Sequence, residues 1–227
     1  MVESEPNTSK GERTKERILQ AALELFRELG YEATTMRMVA DAAKVSLGNA
    51  YYYFASKDLL LQAFYHEVHT AHVAACGPVL AKERGLRERL RGVMLAKLDV
   101  IEPYHRFSAL MFRSAADPKS PLNPFHAEGA GVRGEGEQVF AEVLSGSKQR
   151  IPKDLAAELP NLLWTYSMGV VLFWIHDESP QHARTRRLIE RSVELISTSI
   201  RLASNPLLRS LRRQALELIK GIKADAL

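Results

Sequence analysis

The stretch VSLGNAYYYFASKDLL, Val45 to Leu60, puts three tyrosines and a phenylalanine in consecutive positions. Neighbouring side chains on a helix or strand point in different directions, so one core cannot take all four rings. Some of them face outward and have something to touch. Ser46 is a favoured helix N-cap, and so is Ser56. Between them fits a helix of barely two turns, with Leu47, Gly48 and Asn49 as its first turn. Phe54, which has no polar handle, and Ala50 face the core.

Working outward from this segment, helical spacing dominates and the alternation of a β-strand is absent. Upstream, Ile18, Ala22, Leu25 and Leu29 recur at i, i+4, i+7 and i+11, flanked by Leu19 and Phe26. That helix begins near Lys10 to Thr14 and ends at Gly30, the residue type favoured just past a helix C-terminus. Thr34 or Thr35 then caps a short helix through Ala43, with Met38, Val39 and Ala42 inward. Three helices, the last reached by a tight turn and bearing exposed polar and aromatic groups, make a helix-turn-helix. In that geometry the first turn of the last helix meets base edges. Gly48 lets the backbone come close, Asn49 can pair with adenine, and each tyrosine joins a flat ring to a hydroxyl that reaches phosphate.

Here a resemblance becomes specific. TTMRMVADAAKVSLGNAYYYFASKDLL, preceded by ILQAALELFRELGYEATT, resembles the DNA-binding domain of the TetR family of bacterial transcriptional regulators. The likeness runs from about Thr14 to Ala63. It implies a phosphate contact at Thr35, base or backbone contact from Arg37, and a groove-lining set of Leu47, Gly48 and Asn49 behind the Ser46 cap. It further implies that Tyr51, Tyr52 and Tyr53 hold phosphates or bases and that Lys57 holds a phosphate. On the residues alone, Tyr53 is as readily a packing residue.

The remaining chain is long enough for a larger second unit within 227 residues. The expected division is a flexible tail at 1–13, the helix-turn-helix at 14–62 and a helical regulatory unit at 63–227, all-α throughout. The fourth helix starts at Lys57, and Gly77-Pro78 should stop or kink it. Further helices are expected near Leu86–Glu102, Pro103–Ala115, Glu137–Leu144, Lys153–His176, Gln181–Ala203 and Pro206–Lys223. ADPKSPLNPF (Ala116–Phe125) reads as loop, and the glycines of GAGVRGEG (Gly129–Gly136) predict a mobile loop or a frayed helix.

Aromatic and methionine side chains populate this second unit, and Phe107, Met111 and Trp164 are placed nearest a ligand cavity. Asp99, Glu102 and Arg106 are available to supply charge there. His69, His72 and Cys76 share one helical face at i, i+3 and i+7; without a second ligand cluster they are assigned as pocket-facing or partly exposed polar residues, with Cys76 a small buried hydrophobe, rather than a metal site. No cofactor is implied. Ile189, Val193, Ile196 and Ile200 form one apolar stripe, and Leu188, Leu195 and Leu202 a second, so this helix has two things to bury against. The family pairs its last two major helices with those of a mate, which implies a homodimer through the Ile189 stripe. The C-terminal helix, amphipathic and basic, is expected to pack back on its own unit.

Composition narrows the function. The first 60 residues hold eight Lys/Arg and nine Asp/Glu, so any DNA surface there depends on where the basic residues sit, not on their excess. A single cysteine rules out an intramolecular disulfide. The polar N-terminus carries no apolar leader, and the most apolar run, Leu162–Ile175, is shorter than the roughly 18 residues a membrane span needs. A cytoplasmic protein without membrane contact is expected. G-x-S-x-G, HExxH and a phosphate-binding glycine loop are all absent, which argues against an enzyme. The sequence therefore predicts a homodimeric repressor released from palindromic double-stranded operator DNA by a small-molecule effector. A ligand-free structural or division-control factor of the same fold is the rival reading.

Overall fold

The computed structural model describes residues 9–105, 108–109, 112, 123 and 130–225, and every description below is of these residues. They form nine α-helices and no strand.

Helix α1 (Lys10–Leu29) starts at a reciprocal cap. Ser9 Oγ accepts from the Glu12 amide at 3.2 Å, and Glu12 accepts from the Ser9 amide at 2.7 Å. Residues 10–13, expected in the tail, are therefore its first turn. The helix stops at Gly30, whose φ of +84° is a conformation that L side chains rarely adopt. Thr35 caps α2 (Met36–Ala42), its hydroxyl accepting from the Met38 amide at 3.3 Å. Ala42 faces solvent, not the core; Met36, Val39 and Ala40 fill the inward side instead. The turn to α3 (Leu47–Tyr53) passes through Lys44 at φ +55° and closes when the Val45 amide donates to the Ala40 carbonyl.

Helix α4 (Lys57–Lys82) continues past Gly77-Pro78 and does not stop there. Pro78 and Ala74, whose carbonyl loses its donor, both lie on the exposed side, so that carbonyl is open to solvent. At about 1.5 Å per residue, its 26 residues span about 39 Å. Helix α5 (Leu86–Ile101) returns alongside; Gly92 permits the approach, because a Cβ there would fall 2.3 Å from Val79. The far end of α4 is fixed by Arg89, which is buried on α5. Its Nη1 donates to the carbonyls of Leu80 (2.7 Å) and Glu83 (2.8 Å), Nε to Val143 (2.9 Å) and Nη2 to Glu142 (2.6 Å). One guanidinium thus closes the C-terminal ends of two helices, where orphan carbonyls and the helix dipole both favour a cation.

A 3-10 turn, Glu102–Tyr104, follows α5. Helix α6 (Ala130–Ser145) begins well before the expected Glu137, so the glycine-rich segment from residue 130 is helical rather than loop. Tertiary packing outweighs the helix cost of glycine here: at Gly136 a Cβ would lie 2.7 Å from the indole of Trp164 on α7 (Lys153–Ile175). A turn carrying Gln181 and His182 at φ +53° and +50° leads to α8 (Ala183–Ala203). Asp177 ties that turn down by accepting from the amides and hydroxyls of Ser179 and Thr185. These four donors hold its carboxyl far below the usual range despite burial. Helix α9 (Arg209–Asp225) packs back on α7, burying Leu216 and pairing Arg212 with Asp154 at 3.0 Å.

The buried side chains form two cores. The first joins α1, α2 and α3 to the start of α4, through Ile18, Phe26, Val39, Ala50, Phe54 and Phe64. The second joins the end of α4 to α5 through α9, with Trp174, Leu90, Met94, Val143 and Ile189 among its fully buried members. They meet at Val68, which packs on both, and at Tyr104, whose ring stands edge-on to Phe64 at 4.7 Å.

Candidate nucleic-acid interface

The site grows from the cap of α3. Ser46 Oγ accepts from the Asn49 amide at 3.1 Å, which fixes the first turn of this seven-residue helix. Ala50 and Phe54 anchor its inner side at 0% and 3% exposure. Everything else on the helix is turned outward to some degree. Ser46 and Gly48 are exposed and Leu47 and Asn49 half-exposed, so the first turn is accessible where a base edge would lie. No atom stands within 4 Å of a Cβ built at Gly48, so this position is open to a close neighbour.

The three tyrosines divide as their helical positions dictate. Tyr52 is 81% exposed and Tyr51 48%, whereas Tyr53 packs partly on the first core. Tyr52 leans edge-on against Tyr53, ring centroids 5.1 Å apart, so a half-buried ring braces an exposed one. Thr35, which caps α2, Arg37 in its first turn and Lys44 in the turn before α3 are also exposed. Lys57 is more constrained. Its ammonium donates to the Tyr31 carbonyl at 2.8 Å and sits 4.3 Å from the centre of the Tyr31 ring. The Tyr31 hydroxyl in turn donates to Asp58 at 2.6 Å, and burial followed by that carboxylate holds it protonated. Sequence reasoning missed this Tyr31–Lys57–Asp58 brace; its signal was the aromatic residue directly after Gly30. Lys57 keeps two further N–H donors for a phosphate.

The second unit answers the other expectations unevenly. Phe107, Met111 and Arg106 lie outside the described residues. Trp164 is buried in the second core at the α6–α7 crossing. His72 donates through Nε2 to the Val93 carbonyl, 3.1 Å away, and burial with nearby Lys97 lowers its pKa to about 3. His69 Nε2 meets Glu135 at 3.2 Å, and burial pushes the Cys76 thiol up to about 11. Among the described residues no three such groups converge on a metal position. Glu102 contacts His182 at 2.6 Å, and the His182 ring stacks on His105 at 4.0 Å, so this acid braces the α7–α8 turn. Asp99 pairs with Arg186 at the surface.

The expected dimer stripe requires correction. Ile189, Val193 and Ile200 are 0%, 0% and 4% exposed inside the chain's own core, and Ile196 packs against that core. Ile189, Val193 and Ile200 are thus turned into the chain's own core rather than toward a second chain, and Ile196 is half-buried beside them. The outward apolar side of α8 is the other stripe, with Leu195 at 68% and Leu202 at 55% exposure, and α7 adds Leu172 and Phe173. Among the described residues no helix is long and apolar enough to cross a membrane.

A short exposed helix with a capped first turn, on its own small core and joined by one long helix to a larger helical unit, defines a helix-turn-helix DNA-binding regulator rather than an enzyme. Comparison with known proteins agrees. Residues 18–64 match the family described as bacterial regulatory proteins, tetR family, and residues 89–218 match the tetracyclin repressor-like C-terminal domain. The chain belongs to the TetR family of transcriptional regulators. It is 30% identical over 104 residues to the HTH-type transcriptional repressor KstR2 of Mycobacterium tuberculosis, a match covering 46% of this chain and 50% of that protein. The chain thus spans about half the length of this curated relative. A regulator in the dhlA 5' region of Xanthobacter autotrophicus is 56% identical over 48 residues, 21% of this chain and 24% of its own. Among solved structures, the TetR regulator of Nitrosomonas europaea aligns with a TM-score of 0.63 at 21% identity, over 80% of this chain and 96% of that one. The Thermus thermophilus FadR repressor in complex with lauroyl-CoA aligns at 0.57 and 22%, over 79% and 92%. At these identities the structures speak for the fold.

Proposed function

We propose that the chain is a cytoplasmic homodimeric repressor that a small molecule releases from palindromic operator DNA. The observation that carries this reading is the outward first turn of α3, Ser46 to Asn49, beside exposed Tyr51 and Tyr52 on a core of its own. Leu47, Gly48 and Asn49 face base edges, while Thr35, Arg37, Tyr51, Tyr52 and Lys57 take phosphates; Tyr53 braces Tyr52. Two such heads, one per subunit, read two half-sites about one helical turn apart.

The mate docks against the outward side of α7 and α8, through Leu172, Phe173, Leu195 and Leu202. Effector binding in the second unit reaches the first by two routes, the body of α4 and the Tyr104–Phe64 contact. A ligand that prefers the DNA-incompetent arrangement weakens the operator by the coupling free energy, typically about 1–3 kcal/mol, or about 5- to 150-fold. FadR, of the same fold, holds lauroyl-CoA, which supports an effector site in the second unit. Footprinting on the DNA upstream of the protein's own reading frame tests the proposal. The expected result is a protected palindrome that a small molecule clears. Scattered occupancy without a palindrome would reject it in favour of an architectural DNA-bound factor.

A further inference from the structure

The first 60 residues carry more acid than base, so a DNA surface there depends on how each cation is presented. Lys57 is presented in a fixed pose. One residue, Tyr31, holds its ammonium twice: the backbone carbonyl accepts from it at 2.8 Å, and the ring lies beneath it at 4.3 Å from the centroid. Tyr31 is itself pinned. Its ring packs on Phe26 of α1, centroids 5.2 Å apart, and its hydroxyl donates to Asp58 at 2.6 Å. Its backbone follows Gly30, whose φ of +84° turns the chain out of α1. Both groups that hold the ammonium are neutral. Asp58 and Glu32, the acids that bear on Tyr31, do not bond to Lys57, which makes no ion pair among the described residues. The lysine thus keeps its charge and two N–H donors while its four-carbon stem is already ordered. A free lysine loses that freedom only when phosphate arrives, at a cost to affinity.

We propose that Tyr31 is a positioning residue for DNA binding: it fixes the Lys57 ammonium in place for a backbone phosphate before DNA arrives, and acts through that lysine alone. This role rests on the reading of Lys57 as a phosphate contact given above. Phosphate contacts orient a protein on the duplex without reading its sequence, so the contribution of Tyr31 is the same on every duplex. Freeing the lysine changes the cost of ordering it and not the number of phosphates neutralised, so the salt dependence is kept.

The test measures affinity by fluorescence anisotropy over a range of salt concentrations. Two duplexes of equal length are used, the DNA upstream of the protein's own reading frame and an unrelated sequence. Tyr31→Leu keeps an apolar side chain against Phe26 and removes both ring and hydroxyl. It should weaken both duplexes by the same factor, about 2- to 10-fold, the range that ordering one long side chain supplies. Its salt slope should equal that of wild type. Tyr31→Phe, which keeps the ring beneath the ammonium, should recover part of the loss. A double-mutant cycle decides between positioning and packing. In a Lys57→Ala background Tyr31→Leu should have no further effect, whereas a loosened first core would weaken DNA binding there too. Wild-type affinity in Tyr31→Leu, an equal loss with and without Lys57, or a slope lowered by about one would each overturn the assignment. Should Tyr31→Leu melt below the assay temperature, Tyr31→Phe carries the same cycle, and no loss, or a loss that persists without Lys57, overturns it. If wild type binds neither duplex, the regulator reading itself falls. If it binds and the cycle shows no coupling, that reading stands and Tyr31 is a packing residue.

Discussion

Arg89 offers the sharpest quantitative check on how the second unit is held. Replacing it with methionine keeps most of the volume and deletes the guanidinium. Four carbonyls then lose a charged donor, at 2.6 to 2.9 Å, and two of them end α4 while the other two end α6. Each hydrogen bond to a charged group contributes about 1.5–3 kcal/mol, but the relieved desolvation of the guanidinium offsets much of that sum. Losses of about 3–5 kcal/mol are typical when one side of a buried charged interaction is removed, and that is the expected cost here. For a chain of this length it lowers Tm by roughly 6–20 °C. Arg89→Lys should recover little, because a single ammonium cannot span four acceptors. Both tryptophans, Trp164 and Trp174, lie in the second core, so urea unfolding followed by their fluorescence reports on that core alone. Footprinting below the transition should show the first core still able to hold DNA. A destabilisation under about 1 kcal/mol, or full recovery by lysine, would refute the view that Arg89 caps both helices.

Three further outcomes follow from the same geometry. Asn49→Ala with Tyr52→Ala should abolish specific operator binding while circular dichroism and melting stay near wild type, and Lys57→Ala should lower the slope of log affinity against log salt by about one. Leu195→Glu should give folded monomers by sedimentation, whereas Val193→Asp, fully buried in the chain's own core, should unfold it; a folded Val193→Asp monomer would restore the original stripe as the interface. His72 binds its proton less readily folded than unfolded, its pKa lowered from 6.5 to about 3 by burial and Lys97. The native state therefore carries fewer protons in that window, and stability should fall as pH drops below 6.5, by up to about 1.4 kcal/mol per pH unit, with His72→Gln flattening the slope in urea titrations between pH 6.5 and 5.

What could be read from the chain followed local rules. Thr35, Ser46 and Ser56 all cap helices, because N-capping depends on a side chain and an amide three residues on. The inward turn of Phe54 was legible from its lack of a polar handle, with Ala50 beside it. The illegible parts depend on partners far away in sequence. Arg89 reads as an ordinary solvated charge until its four backbone acceptors are seen, and a backbone carbonyl leaves no mark in a sequence. Two stripes on α8 were visible, but periodicity cannot say which one meets the chain's own α5 and α7, and the Ile189 side proved to be the inner one. Gly136 was read as a breaker, although its missing side chain is what admits Trp164.

The narrow seam between the two cores has an evolutionary consequence. Of the described residues that follow α4, Tyr104 is the one apolar side chain that packs on the first core. A substitution elsewhere in either core therefore disturbs its own side and leaves the other's packing intact. Such a chain behaves as interchangeable parts: a reading head and a sensor can be inherited from different ancestors and still function together, provided a helix the length of α4 passes between them and a ring of the right size arrives beside Phe64. New operators and new effectors can then be acquired one at a time.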